Sequence, residues 1–191
     1  MYPDWGPGEE VLGNVGPGRR VLELGCGSAG NLAHVATLGA EAVGVDMSAV
    51  QVVQAQQRWP GLEVRHERAE RFLSAVDAPY DVIYSVYGAS WFTDPDALLP
   101  LVREALTPGG VYAFSHNPPA LAGCYGAQVS QMKPERAGDE PLFVKRFDHE
   151  PEQWELLLKG AGFEDISAGI IPPPEGKRLG TLLVTAHAPA Y

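Results

Sequence analysis

Cysteine is scarce in this sequence of 191 residues, which contains only Cys26 and Cys124. Two cysteines are too few for a disulfide framework, and neither lies in a C-x-x-C pattern or beside clustered histidines, so we expect no metal site. No apolar run approaches the roughly 20 residues that a membrane helix requires. The first residues, MYPDWGPGEE, lack the basic start and the apolar centre of a secretory signal. We therefore expect a cytoplasmic protein with no membrane partner.

Positive charge is also in short supply. The chain carries 14 Lys and Arg against 24 Asp and Glu, a formal net charge of −10. A basic surface is what neutralises nucleic-acid phosphates, so DNA and RNA are not expected partners, and a small or basic substrate is favoured. The remaining composition, 45% hydrophobic and 20% charged, is typical of a globular protein, and the length suits a single domain over residues 1–191.

Short β-type runs alternate with amphipathic segments, which is typical of a mostly parallel sheet covered by helices. The runs predict seven strands, at about 20–25, 42–46, 62–66, 80–86, 110–116, 165–171 and 180–187. Helices are predicted at about 28–38, from Ser48 to before Pro60, and at about 69–75, 95–106 and 151–161. The turn-rich residues 172–179 leave no room for a crossover helix, so one antiparallel strand is expected near the carboxyl terminus.

A long segment without clear periodicity lies between His116 and Glu150. Loops of this length inside a compact domain are usually functional or disordered. We predict that residues 117–150 form a lid over a substrate, with Tyr125 and Met132 pointing inward. Short helical or strand pieces within the segment are compatible with this prediction.

Residues 21–30 read VLELGCGSAG, in which Gly25, Gly27 and Gly30 have the spacing G-x-G-x-x-G. Gly25 and Gly27 would let the backbone turn sharply and approach a ligand, and Gly30 would let the next helix pack on the sheet. This spacing is shared by domains that hold nicotinamide or flavin dinucleotides and by domains that hold S-adenosylmethionine. The glycines alone leave both classes open.

Asp46 ends the second predicted strand, about twenty residues beyond the first glycine. A carboxylate at this place has two oxygens that can accept hydrogen bonds from the two hydroxyls of a ribose. The alternative is that Asp46 caps the following helix together with Ser48. Met47 would lie against an adenine ring, although plain packing explains a methionine there equally well.

These segments together resemble the class I S-adenosylmethionine-dependent methyltransferases, particularly their small-molecule branch, over nearly the whole chain. The resemblance rests on ELGCGSAG with an acidic Glu23, GVDMS, the pair Ala69-Glu70, YDVIYS and ALTPGGVYAFS. It implies a Rossmann-like, doubly wound seven-stranded α/β sheet and S-adenosyl-L-methionine as the cofactor. It also implies methyl transfer to an O or N atom, or less typically a C atom, of a small molecule. A composition rich in Ala, Gly, Pro and Arg suggests a GC-rich bacterial source and specialised metabolism.

The resemblance places the cofactor beyond the carboxyl ends of the strands. The implied cofactor-binding residues are Glu23, Gly25, Cys26, Gly27, Gly30, Asp46, Met47, Ala69, Glu70 and Ser85. Glu23 would offset the positive charge of the methionine part, and Ser85 would offer its carbonyl or hydroxyl to the amine. Family members often carry Asp before the alanine that follows strand 3, but here Arg68 cannot accept a hydrogen bond. The adenine contact is therefore assigned to the Ala69 backbone and Glu70.

Acceptor binding is expected where aromatic residues follow the fourth predicted strand. Aromatic walls hold flat molecules or the cationic edge of an amine, with ordinary core packing as the alternative. His116 ends strand 5, and an imidazole can take a proton from a hydroxyl or ammonium group, with structural hydrogen bonding as the alternative. The predicted catalytic residues are His116 and Tyr87, and the predicted substrate-binding residues are Trp5, Tyr87, Trp91, Phe92, His116 and Tyr125.

Several alternatives stay open at this point. One alternative is a nicotinamide-dinucleotide oxidoreductase, although such an enzyme would need a separate substrate domain and has no reason to carry L-x-P-G-G before strand 5. The other alternative to a methyltransferase is a non-catalytic S-adenosylmethionine-binding protein. The positions of metal-binding carboxylates in catechol-type enzymes hold Ser85, Val86, His116 and Asn117, so no metal is expected. Only about twenty residues precede the first strand, so the pocket is open, or the long loop or a partner subunit of a homodimer closes it.

Overall fold

The computed structural model describes residues 6–119, 125–132, 140, 142–177 and 179–190. The strands are β1 (Arg20–Leu24), β2 (Glu41–Asp46), β3 (Glu63–His66), β4 (Tyr80–Val86), β5 (Leu106–His116), β6 (Gly126–Met132), β7 (Leu142–Asp148), β8 (Glu164–Ile171) and β9 (Thr181–His187). The α-helices are α1 (Gly30–Thr37), α2 (Ala49–Arg58), α3 (Ala69–Leu73), α4 (Ala89–Phe92), α5 (Pro95–Glu104) and α6 (Pro151–Gly160), and a 3-10 helix covers Glu9–Leu12.

Seven of these strands form one sheet in the order β3-β2-β1-β4-β5-β9-β8. Neighbouring strands are parallel except for β9, which is antiparallel to both β5 and β8. The predicted Rossmann-like, doubly wound α/β fold with one antiparallel strand near the carboxyl terminus is thereby confirmed. The strand order reverses between β1 and β4, and in such sheets ligands bind beyond the carboxyl ends of the strands at that point.

The sheet is covered unequally on its two faces. On one face Leu22, Ile83 and Phe114 pack in a large cluster with side chains of α3, α5 and α6. On the other face a smaller cluster joins Val21 and Tyr84 to the 3-10 helix and α1. The difference in burial between the two faces is visible in strand β9, whose residues alternate between buried and half-buried along the strand. No helix in the described ranges is long and apolar enough to span a membrane.

The predicted lid contains a β-hairpin that the sequence did not reveal. Strands β6 and β7 pair antiparallel as a separate two-stranded sheet, with Gly126 opposite Asp148 and Val129 opposite Lys145. The short helix α4 and the 3-10 helix were also not predicted. Strand β5 begins at Leu106 rather than at about residue 110, with an irregularity in its pairing to β4.

The predicted helix boundaries agree with local capping. The Ser48 hydroxyl accepts a hydrogen bond from the Gln51 amide at the start of α2. Asp94 caps α5 in the same manner through the Asp96 amide, and Pro95 occupies the first turn. These caps place the loops after β2 and β4 at the edge of the sheet where a ligand is expected.

Candidate functional site

The glycine turn after β1 is fixed by backbone contacts. The amides of Gly25 and Cys26 donate to the Val45 carbonyl at 2.7 and 3.1 Å, and Gly25 adopts φ +74°. A Cβ on Gly25 would lie 2.8 Å from Gly88 Cα and closer still to the Ala89 amide nitrogen. The turn before α4 therefore fills the space beside Gly25. The absent side chain thus makes room for the chain's own backbone, and the approach of a ligand to Gly25 stays a prediction.

The expectation that a glycine at position 30 is needed for α1 to pack on the sheet is corrected. A Cβ on Gly30 would meet nothing within 4 Å, so packing of α1 on the sheet does not require a glycine there. Gly44 in β2 has that role instead. A Cβ on Gly44 would lie 2.8 Å from both Cys26 Sγ and Leu32 Cδ2, and so would push α1 away from the strand.

Asp46 is held in place by two backbone amides. The Gly27 amide donates to Oδ2 at 2.8 Å and the Ser48 amide donates to Oδ1 at 2.8 Å. Each oxygen keeps a further lone pair, so capping by Asp46 and acceptance of ribose hydroxyls are compatible. Met47 beside it is 64% exposed, which leaves its side chain free for contact with a ligand rather than committed to the core.

The residues after β3 form a different arrangement. Ala69 is buried at the start of α3, and Arg68 donates to Glu70 Oε1 at 3.0 Å. Arg68 is largely exposed, as predicted, but it is paired with Glu70. The carboxylate of Glu70 is therefore partly occupied by its neighbour, and the Ala69 backbone is the better candidate for an adenine contact.

Glu23 is an acid inside the protein, with 1% of its surface exposed. Asn31 Nδ2 donates to Oε1 at 3.4 Å, and the Tyr84 hydroxyl donates to Oε2 at 3.2 Å. Burial raises the pKa of Glu23 to about 7, while the two donors oppose that rise. Burial and the nearby Glu23 also raise the pKa of Tyr84, so its hydroxyl stays protonated and remains a donor.

Ser85 and Cys26 act within the protein through their side chains. The Ser85 hydroxyl donates to the Leu24 carbonyl at 2.8 Å and accepts from the Ser90 amide at 3.2 Å, which joins β4 to β1 and α4. The Cys26 thiol packs in a cluster with Leu32, and burial raises its pKa to about 12. A contact of the Ser85 carbonyl or the Cys26 backbone with a cofactor stays a prediction.

The three aromatic residues predicted to line the acceptor site make internal contacts. The Tyr87 hydroxyl is 2.9 Å from Thr181 Oγ1, and Tyr87 has φ +51°. The Trp91 indole nitrogen donates to Asp148 Oδ1 at 2.8 Å, while its ring lies 5.1 Å from that of Phe92. Phe92 is the most exposed of the three. The role of the three residues in acceptor binding stays a prediction. The contacts that Tyr87 and Trp91 make within the protein are those expected of the alternative, ordinary packing.

His116 is enclosed in an aromatic cluster and has no exposed surface. Its ring is stacked between Trp91 at 5.3 Å and Phe114 at 6.0 Å, with the edge of Trp154 at 5.7 Å. Nδ1 donates to the Asn117 carbonyl at 2.6 Å, and Nε2 has no hydrogen-bond partner among the described residues. Burial lowers the pKa of His116 to about 4. The buried ring is neutral and closed off, which favours the structural alternative for His116, and its role as a base or substrate contact stays a prediction.

Comparisons with known proteins agree with this geometry. The family model of the methyltransferase domain matches residues 21–110. The ubiquinone biosynthesis O-methyltransferase of Cereibacter sphaeroides is 30% identical over 158 residues, covering 78% of this chain and 62% of that protein. The chain thus spans about three fifths of the length of this curated relative. Residues 21–110 are therefore similar to a methyltransferase domain, which agrees with the resemblance of the chain to the class I S-adenosylmethionine-dependent methyltransferases.

Solved structures of methyltransferases agree with this chain in fold. An S-adenosylmethionine dependent methyltransferase from Mesorhizobium loti has a TM-score of 0.67 at 22% identity, covering 94% of each chain. The glycopeptide N-methyltransferase MtfA, complexed with S-adenosyl-L-methionine, has a TM-score of 0.68 at 19% identity, covering 90% of this chain and 87% of that one. Among the described residues, no group of three or more His, Cys, Asp or Glu is arranged to hold a metal ion.

The hairpin formed by β6 and β7 is attached to α4. Asp148 in β7 is buried and accepts from the Trp91 indole and from Arg146 Nε, each at 2.8 Å. The Arg146 guanidinium also lies 5.6 Å from the Trp91 ring. Tyr125, predicted to point inward, is 45% exposed before β6. Trp5 and the side chain of Met132 lie outside the described residues, so their predicted roles are not tested.

A cavity of about 230 Å³ opens on the second face of the sheet. It lies between residues 6–12, α1, the carboxyl ends of β4 and β5, and strands β8 and β9. This cavity was not predicted from the sequence. Helix α1 contributes Asn31, His34 and Val35 to its wall, and these contributions were not predicted either. The i, i+3, i+4 spacing of those three residues on one helix face was the available signal.

Proposed function

We propose that the protein is an enzyme that binds S-adenosylmethionine and transfers its methyl group to an O or N atom of a small molecule in bacterial specialised metabolism. The observation that carries this proposal is the Asp46 carboxylate, which two backbone amides hold at the end of β2 beside the glycine turn. A fixed pair of acceptor oxygens at this place suits the vicinal hydroxyls of an adenosyl ribose. The bacterial methyltransferase relative supports the proposal.

The side chains around the turn suit the charged end of the cofactor. Bound S-adenosylmethionine would supply a methyl carbon activated by the adjacent sulfonium, so that no covalent enzyme nucleophile is needed. Glu23, with Asn31 and Tyr84 beside it, would place a negative charge near the amino group and sulfonium. The chain would then align the acceptor and exclude water, which are the main requirements of a direct displacement.

Calorimetric titration tests the cofactor assignment. We expect S-adenosylhomocysteine and S-adenosylmethionine to bind with one site per chain, and NAD not to bind. Binding of NAD alone would support the oxidoreductase alternative instead. Catalysis is tested separately, by following S-adenosylhomocysteine formation when a bacterial small-molecule extract is added. If the cofactor binds but no extract fraction gives turnover, the protein is a non-catalytic binder.

The pKa of Glu23 predicts how cofactor affinity depends on pH. In the empty protein this carboxyl is mostly protonated below pH 7 and must lose its proton to pair with the cofactor's ammonium group. Affinity for S-adenosylhomocysteine is therefore expected to rise with pH up to about 7 and to level off above it. The limiting slope is about tenfold per pH unit for one released proton.

Two controls isolate Glu23 in that measurement. Glu23→Gln removes the titrating group, so its affinity profile is expected to be flatter between pH 5.5 and 7.5, a range that brackets the pKa of about 7. The probe 5′-methylthioadenosine lacks the amino-acid part of the cofactor and is expected to bind the original protein with little pH dependence. An identical pH slope in Glu23→Gln would assign the proton to another group.

His116 is expected to act by packing rather than by accepting a proton. His116→Phe keeps an aromatic ring between Trp91 and Phe114 and removes the imidazole. We expect its turnover to stay within a few-fold of the original protein, measured on an acceptor identified as above. A fall of about 10²- to 10⁴-fold with unchanged cofactor affinity would establish the general-base role that the sequence suggested.

A further inference from the structure

We propose that the cavity on the second face of the sheet is the acceptor site, and that it takes an uncharged or cationic, largely apolar molecule. This inference rests on the proposed methyl transfer and names the class of acceptor. It moves the acceptor away from the aromatic residues after β4, where the sequence placed it. The shape, polarity and charge of the cavity wall carry the argument.

The wall of the cavity is mostly apolar. Val11 and Leu12 close it from the amino-terminal side, and Val35 of α1, Ala113 of β5 and Leu183 of β9 form its floor and flanks. A cavity of about 230 Å³ is comparable to a small aromatic or alicyclic molecule. Water in such a place has few polar partners, so an apolar molecule that displaces it gains the free energy of burial.

The cavity reaches the proposed cofactor crevice at the end of β4. Ser85 and Tyr84 line it, and Tyr84 also donates to Glu23. Asn31, the second donor to Glu23, lines the cavity as well. A molecule in the cavity therefore ends beside the groups that would hold the methionine part of the cofactor, which is where an acceptor atom must lie.

The charges at the cavity exclude an anionic acceptor. None of the described residues that line it is Lys or Arg. Its ionisable side chains are Glu9 and His34, whose Oε2 and Nε2 atoms lie 3.1 Å apart near the rim. A carboxylate or phosphate in the cavity would lose its hydration without a cation to replace it, whereas Glu9 would favour a positive group. The net charge of −10 acts in the same direction.

The aromatic residues after β4 offer less room for an acceptor. The Trp91 ring is covered by His116 on one side and lies close to Phe92, and its indole nitrogen is bonded to Asp148. Tyr87 Oη contacts Thr181, whose side chain belongs to the cavity wall. The aromatic residues therefore pack beside the cavity and stabilise its wall rather than form the acceptor site.

A matched pair of fluorescent probes tests the site before the natural acceptor is known. N-phenyl-1-naphthylamine is neutral and apolar, and 8-anilinonaphthalene-1-sulfonate has the same ring system with one sulfonate. We expect one site for the neutral probe and binding of the sulfonate that is weaker by about tenfold or more, because the site lacks a cation. Equal or tighter binding of the sulfonate would overturn the assigned class of acceptor.

Variants then locate the bound probe. Leu183→Glu places a carboxylate in the cavity wall at a half-buried position and is expected to weaken binding of the neutral probe by about tenfold or more. Ile171→Glu, on β8, provides the same test if Leu183→Glu does not fold. Phe92→Ala, on α4 and outside the cavity wall, is the matched control and is expected to leave the affinity unchanged. If Phe92→Ala weakened probe binding and the cavity variants did not, the acceptor site would be assigned to the aromatic residues after β4 and the inference would be wrong.

Competition with the cofactor separates this inference from the proposed function. With S-adenosylhomocysteine bound at saturation, the neutral probe is expected to bind with similar affinity, because the two sites adjoin without overlapping. Full displacement of the probe would assign the cavity to the cofactor and overturn the inference. Absence of any S-adenosylhomocysteine binding would contradict the proposed function instead, while the probe titrations would still decide whether the cavity takes neutral apolar molecules.

Discussion

Gly25→Ala is expected to lower the free energy of unfolding by about 3 to 5 kcal/mol, an effect typical of backbone strain combined with a steric clash. Gly25 has φ +74°, which costs an alanine about 1 to 2 kcal/mol. The added Cβ would also lie 2.8 Å from Gly88 Cα, so the turns after β1 and β4 would have to separate. Urea unfolding of the protein without ligand measures this loss.

Gly30→Ala is the matched control within the same motif. The new Cβ meets nothing within 4 Å, and the residue begins α1, so alanine is expected to be neutral or stabilising by up to about 1 kcal/mol. Equal losses in the two variants would mean that the motif is sensitive to any substitution. No loss in Gly25→Ala would mean that the two turns are not packed as described.

Asp46→Ala is expected to weaken binding of S-adenosylhomocysteine by about 5- to 150-fold, which corresponds to the roughly 1 to 3 kcal/mol of an unmade hydrogen bond to a charged group. The ribose hydroxyls would lose their acceptor while they remained buried. The Gly27 and Ser48 amides would lose theirs too, so a thermal melt must first establish that the variant is folded. Calorimetry gives the affinity.

A cofactor analogue distinguishes ribose binding from helix capping at Asp46. In the original protein, 2′-deoxyribose in place of the ribose of S-adenosylhomocysteine removes one of the two hydroxyl contacts, so affinity should fall. In Asp46→Ala the same change should cost much less, because the partner is already gone. Equal losses in the two proteins would mean that Asp46 only fixes the turn.

The sheet was predictable because its signals are local. Each strand of the large sheet has a short β-type run bounded by a cap or a turn residue, and Ser48 and Asp94 mark the helix starts that the structure confirms. The antiparallel strand β9 followed from the length of the connection alone. The doubly wound arrangement of the sheet followed from the family resemblance, and the spacing from the first glycine indicated that Asp46 ends β2 near the ligand.

The hairpin and the cavity were not predictable from local patterns. Strand β6 and the first part of β7 alternate between exposed and half-exposed residues, and only Phe147 and Asp148 at the end of β7 are buried, so the hairpin carries no long apolar face that a sequence pattern could reveal. Their attachment includes long-range contacts with Trp91, from which the indole nitrogen donates to Asp148 and over which the Arg146 guanidinium lies. The cavity joins segments as distant as Glu9, His34 and Leu183, which only the three-dimensional fold brings together.

Single residues were predicted with mixed success because their roles depend on the neighbour they meet. The role assigned to Gly30 belongs to Gly44, and a glycine within a β-run gives no sign of which helix will pack on it. His116 does end β5 as expected. However, the rings of Trp91 and Phe114 close over it, and nothing in the sequence specified their stacking.

The stacked indole of Trp91 gives the protein an internal optical reporter. Its nitrogen is bonded to β7 and its ring lies flat against a buried imidazole, at an angle of 7°. Displacement of the hairpin would break that bond and expose the indole to water, so the emission of Trp91 would shift to longer wavelength. A Trp91→Phe variant supplies the blank for this signal. Movement of the hairpin during a catalytic cycle could therefore be timed by stopped-flow fluorescence without attaching a label.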